Sequence, residues 1–196
     1  MKIWIVRHGQ THLNATMVMQ GHTDAPLNAK GVLQAEAARK KIGEVHFDKV
    51  YSSTLKRAIT TAAIVGGVPE SEVVKDSRIM EVNFGRKELK HYLKVGPRMV
   101  LFWAFPRIFR APETVETMPS LVSRTHSFLN DIIAEGRKEG WENVLIACHG
   151  GSMRALCGYM LGKKHGYIWN PLASNCEVRV FDARPGKRGM VESYKI

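Results

Sequence analysis

The 196-residue chain is 44% hydrophobic and 24% charged. That balance excludes disordered, collagen-like and coiled-coil sequences, and the length suffices to bury one sizeable core without covalent staples. Twenty-nine Lys and Arg against 18 Asp and Glu give a formal net charge of +11, which calls for an anionic substrate, nucleic acid or an acidic membrane surface as partner. The three cysteines, Cys148, Cys157 and Cys176, form no C-x-x-C pair. Neither a disulfide framework nor a cysteine zinc site is indicated, and buried free thiols in a reducing compartment are expected. The apolar run at 3–6 is too short for a signal peptide's core, and the longest such run, 99–105, is too short to span a bilayer. A soluble cytoplasmic protein is expected.

In chain order, Ile3 to Val6 is a short β-branched run stopped by Arg7-His8-Gly9, the pattern of a buried strand meeting a loop. Val32, Ala35, Ala38 and Ile42 recur at helical spacing across 31–42. A second strand is predicted over 48–53, and Leu55, Ala58, Ile59, Ala62 and Ala63 then mark one apolar helix face. Val73-Val74 is a weaker strand candidate. The clearest amphipathic helix spans 118–133, with Leu121, Thr125, Phe128, Leu129 and Ile132 on one side. A third buried strand, 144–148, ends at His149-Gly150-Gly151; a helix over 152–161 and a strand over 177–181 that closes the sheet complete the reading. This alternation predicts a single α/β domain over 1–196, a three-layer sandwich whose mostly parallel central sheet carries helices on both faces.

Two predicted strands end in a histidine followed by glycine. In open α/β sheets the site lies beyond the carboxyl ends of the strands, so His8 and His149 are expected to meet at one edge, with Arg57 on the same rim. The segment 86–112 differs from its surroundings. Between 86 and 110 stand Arg86, Lys87, Lys90, Lys94, Arg98, Arg107 and Arg110 against the single acid Glu88, interleaved with Tyr92, Phe102, Trp103, Phe105 and Phe109. Pro97, Pro106 and Pro112 are expected to break it into short pieces. It reads as a basic lid laid over the strand ends, with its cations on the distal part of an anionic substrate.

The ordered blocks are Arg7-His8-Gly9, Asn14, Gln20-Gly21-His22-Thr23, Gly31, Ser52-Ser53-Thr54-Leu55-Lys56-Arg57, Glu81-Val82-Asn83-Phe84-Gly85 and His149-Gly150-Gly151. Together they resemble the histidine phosphatase superfamily, the phosphoglycerate-mutase-like enzymes with an R-H-G motif, over nearly the whole chain. The residue types suit the chemistry. A phosphomonoester carries up to two negative charges, and planar guanidinium forks such as those of Arg7 and Arg57 match its oxygens. A neutral imidazole in line with phosphorus can attack it, and nearby cations keep such a ring unprotonated.

The resemblance implies that His8 is the nucleophile, its other ring nitrogen held by a backbone carbonyl near Gly9. It implies that Glu81 is the proton donor to the leaving group. His149 fits a second phosphate contact that stabilises transition-state charge. Asn14, Gln20, Gly21 and Gly150 are candidate phosphate or substrate contacts; turn and capping roles explain Asn14 and Gln20 equally well, and a helix-start turn explains Gly150. No cofactor is implied, since no phosphate-binding nucleotide loop occurs, and His12, His22, His46, His91, His126 and His165 lack metal-ligand spacing and read as surface or helix residues.

Two departures from the family pattern fall in the lid. The block often written F-G-x-W-E-G reads Phe84-Gly85-Arg86-Lys87-Glu88-Leu89, and P-G-G-E-S has lost its glycines, keeping Glu116 with Arg124 after it. These changes bear on the substrate and leave the phosphate pocket intact. The expected activity is a metal-independent phosphatase acting on small phosphomonoesters. A mutase remains the alternative, because a basic lid suits a bisphosphorylated substrate. Rivals of other classes are a nucleic-acid-binding protein, disfavoured by the absence of a recognition motif, a peripheral membrane protein anchored by Trp103 and Phe105, and an inactive scaffold. Homodimerisation is left open.

Overall fold

The computed structural model describes residues 1–169, 172–184 and 189–196. Six strands, β1 (Lys2–Arg7), β2 (Lys49–Ser52), β3 (Val74–Lys75), β4 (Asn143–Cys148), β5 (Val178–Asp182) and β6 (Gly189–Tyr194), form one sheet in the order β3-β2-β4-β1-β5-β6. The pairings β1 with β4, β2 with β4 and β2 with β3 are parallel, whereas β5 and β6 run antiparallel to their neighbours. The helices are α1 (His12–Ala15), α2 (Ala29–Ile42), α3 (Lys56–Gly66), α4 (Pro97–Ala104), α5 (Met118–Glu139) and α6 (Gly150–Met160).

Strand alternation sorts the core into two halves. Ile3 and Ile5 of β1, with Val144 and Ile146 of β4, pack among Phe128, Leu129 and Ile132 of α5 and Met153 and Leu156 of α6. Trp4 and Val6, with Leu145 and Ala147, face Ala35 and Ala38 of α2 and Ala62 and Val65 of α3. Because successive side chains on a strand point to opposite faces, a strand apolar throughout must be covered on both, and the three-layer arrangement follows. The predicted α/β sandwich is the fold observed.

The helix boundaries follow their caps. The Asn28 side chain accepts from Gly31 N and opens α2, and Thr117 caps Ser120 N at the start of α5, which runs to Gly140 at φ 72°. One expectation is corrected. The sheet does not close at 177–181: β6 follows β5 as an edge strand. Its residues are mostly exposed, so backbone pairing rather than a buried face holds it, and no hydrophobic alternation announces it. The 86–112 segment does fall into short pieces, single turns at Gly85–Lys87 and Tyr92–Lys94 followed by α4; Pro97 opens α4 from its first turn, where a missing N–H costs nothing.

The segment 86–112 is anchored by a small apolar cluster of its own. Val95, Met99 and Phe102 pack with Met19, Val82 and Val115, against Leu121 of α5 and Ala155 of α6. The β1–β4 register sets the functional edge. Lys2 pairs with Asn143 and Arg7 with Cys148, so the chains leave both strands together, and His8 N still donates to Cys148 O at 2.9 Å.

Candidate active site

This register explains why two histidines far apart in sequence meet. His8 and His149 are both buried, with ring centroids 5.1 Å apart. His8 Nδ1 lies 2.7 Å from Gly9 O. A carbonyl only accepts, so the ring carries its proton on Nδ1 and keeps the Nε2 lone pair free. Burial, reinforced by the Arg57 and Arg7 guanidinium groups, holds this histidine well below its usual value. Gly9 is required here, because a Cβ at that position would come within 2.4 Å of Gly31 O at the start of α2.

Arg57 is fully buried. Its Nε donates to His149 Nδ1 at 3.2 Å, Nη1 to Thr23 O at 2.8 Å and Nη2 to Gly21 O at 2.7 Å. Burial lowers its pKa to about 10, which leaves it charged at neutral pH. Since His149 Nδ1 accepts, the proton sits on Nε2 and points to Ser53 Oγ at 2.6 Å. Burial first, then Arg57, keeps His149 neutral.

A cavity of about 490 Å³ opens over these groups. Arg7, His8, Asn14, Gln20, Glu81 and Gly150 line it, as does Arg154. Arg57, His149 and Gly21 are not part of its lining. Three of the five Arg57 N–H groups and both His149 ring nitrogens are committed to protein partners, which seats this pair directly behind His8 and the cavity lining. Gly21 contributes its carbonyl to Arg57.

Three lining residues hold a buried donor with no partner among the described residues: Arg7 Nε, Gln20 Nε2 and Arg154 Nε. Buried donors left unpaired are costly, and here they border a cavity that a phosphate could fill. Arg7 is steadied by Nη1 donating to Ala173 O at 2.6 Å. Asn14 is also the third residue of a capping box with Thr11, and Thr11 Oγ1 lies 3.1 Å from Gln20 Oε1, so the capping and lining readings of Asn14 both hold.

Glu81 is buried in the same wall. Its Oε1 accepts from Val82 N at 2.9 Å and from Gly151 N, in the first turn of α6, at 2.8 Å. A Cβ on Gly151 would sit 2.4 Å from that oxygen, so glycine is what lets the carboxylate reach the helix amide. The backbone around Glu81 is fixed by Arg124, whose Nη1 donates to Arg78 O and Met80 O and whose Nη2 donates to Glu81 O at 3.0 Å. Glu116 in turn binds Arg124 Nε at 2.7 Å.

Sequence reading missed three contributors. Arg154 stands four residues after Gly150, hence on the same helix face, and its guanidinium stacks over Trp169 at 4.2 Å from the ring centroid. Glu88 was noted only as the lone acid of the basic segment. It accepts from His22 N and Thr23 N at 2.8 and 2.7 Å and so braces the loop whose carbonyls hold Arg57. His22, read as a surface histidine, is exposed but has Nε2 3.0 Å from Glu81 O. Only the Arg154 spacing carried a signal in the sequence.

The lid expectation is corrected in its chemistry. None of the seven basic residues of 86–110 lines the cavity; from that segment come Tyr92, Val100, Phe102, Trp103 and Ala104. Its pieces dock through their apolar faces, which leaves Arg86, Lys90, Lys94, Arg98, Arg107 and Arg110 exposed, while Lys87 Nζ donates to Val95 O.

The sequence profile of the histidine phosphatase superfamily, branch 1, matches residues 3–195. The chain belongs to the histidine phosphatase superfamily. Among its relatives in the superfamily, phosphoserine phosphatase 1 of Hydrogenobacter thermophilus is 28% identical over 86% of this chain and 80% of that protein. The broad-specificity phosphatase YOR283W of Saccharomyces cerevisiae is 30% identical over 84% of this chain and 72% of its own length. Among solved structures, Bacillus stearothermophilus YhfR matches 96% of this chain and 94% of its own at TM-score 0.80 and 28% identity. Phosphoserine phosphatase from Entamoeba histolytica, in complex with 3-phosphoglyceric acid, matches 100% of this chain and 97% of its own at TM-score 0.84, with 23% identity that speaks to fold alone.

Proposed function

We propose that this protein is a phosphatase that hydrolyses small phosphomonoesters through a phosphohistidine on His8, with Glu81 as proton donor and no metal ion. The observation that carries this reading is the 2.7 Å contact of His8 Nδ1 with Gly9 O, which leaves Nε2 unprotonated at the cavity. The phosphoryl group docks among Arg7, Gln20, Arg154 and the start of α6, where unpaired donors and the positive helix end favour an anion. The His8 Nε2 lone pair forms the N–P bond while the P–O bond to the leaving group breaks. The electron pair goes to that oxygen, and protonated Glu81 gives it a proton, releasing an alcohol. Water then attacks phosphorus, the Glu81 carboxylate takes its proton, and the N–P electrons return to His8. Inorganic phosphate leaves.

Arg57 and His149 act from behind, holding His8 neutral and in place. The segment 86–112 serves as the cover of the pocket. A mutase acting on bisphosphorylated substrates is disfavoured, because the cations of this segment do not face the cavity. Phosphate release from 4-nitrophenyl phosphate in the presence of EDTA tests the proposal: turnover should persist in the chelator and vanish in His8→Ala. Activity that needs added Mg²⁺, or that survives His8→Ala, overturns it.

A further inference from the structure

We infer that the leaving group of the substrate is bulky and apolar, an aryl or alkyl alcohol rather than a second charged group. This rests on the phosphatase reading and names the substrate class of the same site. The cavity, at about 490 Å³, lies in the size range of small-molecule sites and is far larger than a phosphoryl group needs. Beyond Arg7, His8, Asn14, Gln20, Glu81 and Arg154 its wall is mostly apolar and includes Phe84, Tyr92, Val100, Phe102, Trp103 and Trp169. These rings brace one another: Trp103 meets Phe84 edge-on at 6.2 Å and Tyr92 at 5.7 Å between centroids.

A carboxylate or second phosphate on the leaving group would be stripped of water against these rings without a cation to meet it. Lys90, Lys94 and Arg98 are exposed, and Lys87 Nζ is spent on Val95 O at 3.0 Å. The one cation of the lining besides Arg7, among the described residues, is Arg154. It follows Gly150 by one helical turn and stacks over Trp169, so the lining formed by Phe84, Tyr92, Val100, Phe102 and Trp103 holds no cation of its own. Apolar groups, by contrast, gain from this wall, and binding energy from the non-reacting part of a substrate is available to the reaction.

The test compares ethyl phosphate with hexyl phosphate, whose leaving groups have nearly the same basicity, alongside O-phosphoserine and 3-phosphoglycerate. Each methylene taken out of water by the wall is worth about fourfold, so kcat/KM for phosphate release should rise on the order of 10²-fold from ethyl to hexyl. Neither charged ester should exceed ethyl phosphate. Trp103→Ala should lower the hexyl-to-ethyl ratio about tenfold. Val100→Asn, at a side chain already 53% exposed, should lower the same ratio without disturbing the core. A flat response to chain length, an unchanged ratio in both variants, or preferred hydrolysis of phosphoserine or phosphoglycerate overturns the inference while leaving the phosphatase reading intact. Turnover of none of the esters overturns that reading itself, and the inference with it.

Discussion

Arg57 Nε donates to His149 Nδ1 across 3.2 Å inside a fully buried pair. This bond fixes the tautomer of His149 and sends its remaining proton to Ser53 Oγ. The guanidinium simultaneously ties down the carbonyls of Gly21 and Thr23. A lysine has one nitrogen and cannot serve three acceptors in a plane. Arg57→Lys is therefore expected to lower kcat/KM by about ten- to a hundredfold, the equivalent of one lost bond to a charged group at roughly 1.5–3 kcal/mol. The melting temperature should fall as well, because a buried carbonyl or ring nitrogen is left unpaired. Steady-state kinetics and thermal unfolding check both, and a variant indistinguishable from wild type would remove Arg57 from this role.

His8→Ala should abolish turnover while the protein stays folded. His46→Ala, at an exposed side chain outside the cavity lining, should change stability by less than ~0.5 kcal/mol and leave activity in place. Brief incubation of wild type with labelled substrate, followed by alkaline denaturation, should trap an acid-labile, base-stable phosphoenzyme. Label retained by the His8→Ala protein would place the nucleophile elsewhere.

Glu81 is needed only where the departing oxygen is strongly basic. For an alkyl phosphate, Glu81→Gln is expected to cost about 10²- to 10⁴-fold in kcat, the usual range for general acid catalysis. For 4-nitrophenyl phosphate, whose leaving group departs without a proton, the loss in the first step should be much smaller. Gly151→Ala should produce a milder form of the same pattern, since the added Cβ would meet Glu81 Oε1. Equal losses on both substrates would mean that Glu81 does not protonate the leaving group.

The two buried histidines make stability depend on pH in a defined direction. His8 and His149 are both held well below 6.5 in the folded state. In the window between the lowered value and 6.5 the unfolded chain binds protons that the folded chain refuses, so stability is complete above about pH 6.5 and falls as the pH drops below it. Each ring adds up to about 1.4 kcal/mol per pH unit to this slope. Denaturant unfolding of the wild type and of the His8→Gln/His149→Gln protein between pH 8 and 5 should show a shallower acid decline in the variant. Parallel curves would argue against neutral burial of the pair.

The exposed cations of the cover should matter little to catalysis. Replacing Lys90, Lys94 and Arg98 together with Gln is expected to leave kcat/KM for phosphomonoesters of uncharged alcohols within about twofold, as usual for surface positions. A large rise in KM confined to polyanionic substrates would instead restore them as a recognition element.

The sequence by itself determined the sandwich and the chemical core of the site. Continuous apolar strands such as 3–6 and 144–148 must be covered on both faces, and this follows from side-chain alternation alone. Arg7, His8, Glu81 and the 149–151 block stood in recognisable positions because their chemistry tolerates few substitutes. Tertiary structure decided which side of each group faces the cavity. Arg57 and His149 lie just behind the cavity lining that includes His8, held by hydrogen-bond partners such as Thr23 O and Ser53 Oγ that come from other loops and leave no trace in local spacing. The basic segment points outward for a related reason: its charge was countable, but its orientation depends on Val95, Met99 and Phe102 finding Leu121 and Ala155. The strand β6 stayed hidden because backbone pairing to β5, not side-chain pattern, holds an exposed edge. Glu88 braces the 21–23 loop through two backbone amides, and a contact of that kind exists only once the chain has folded.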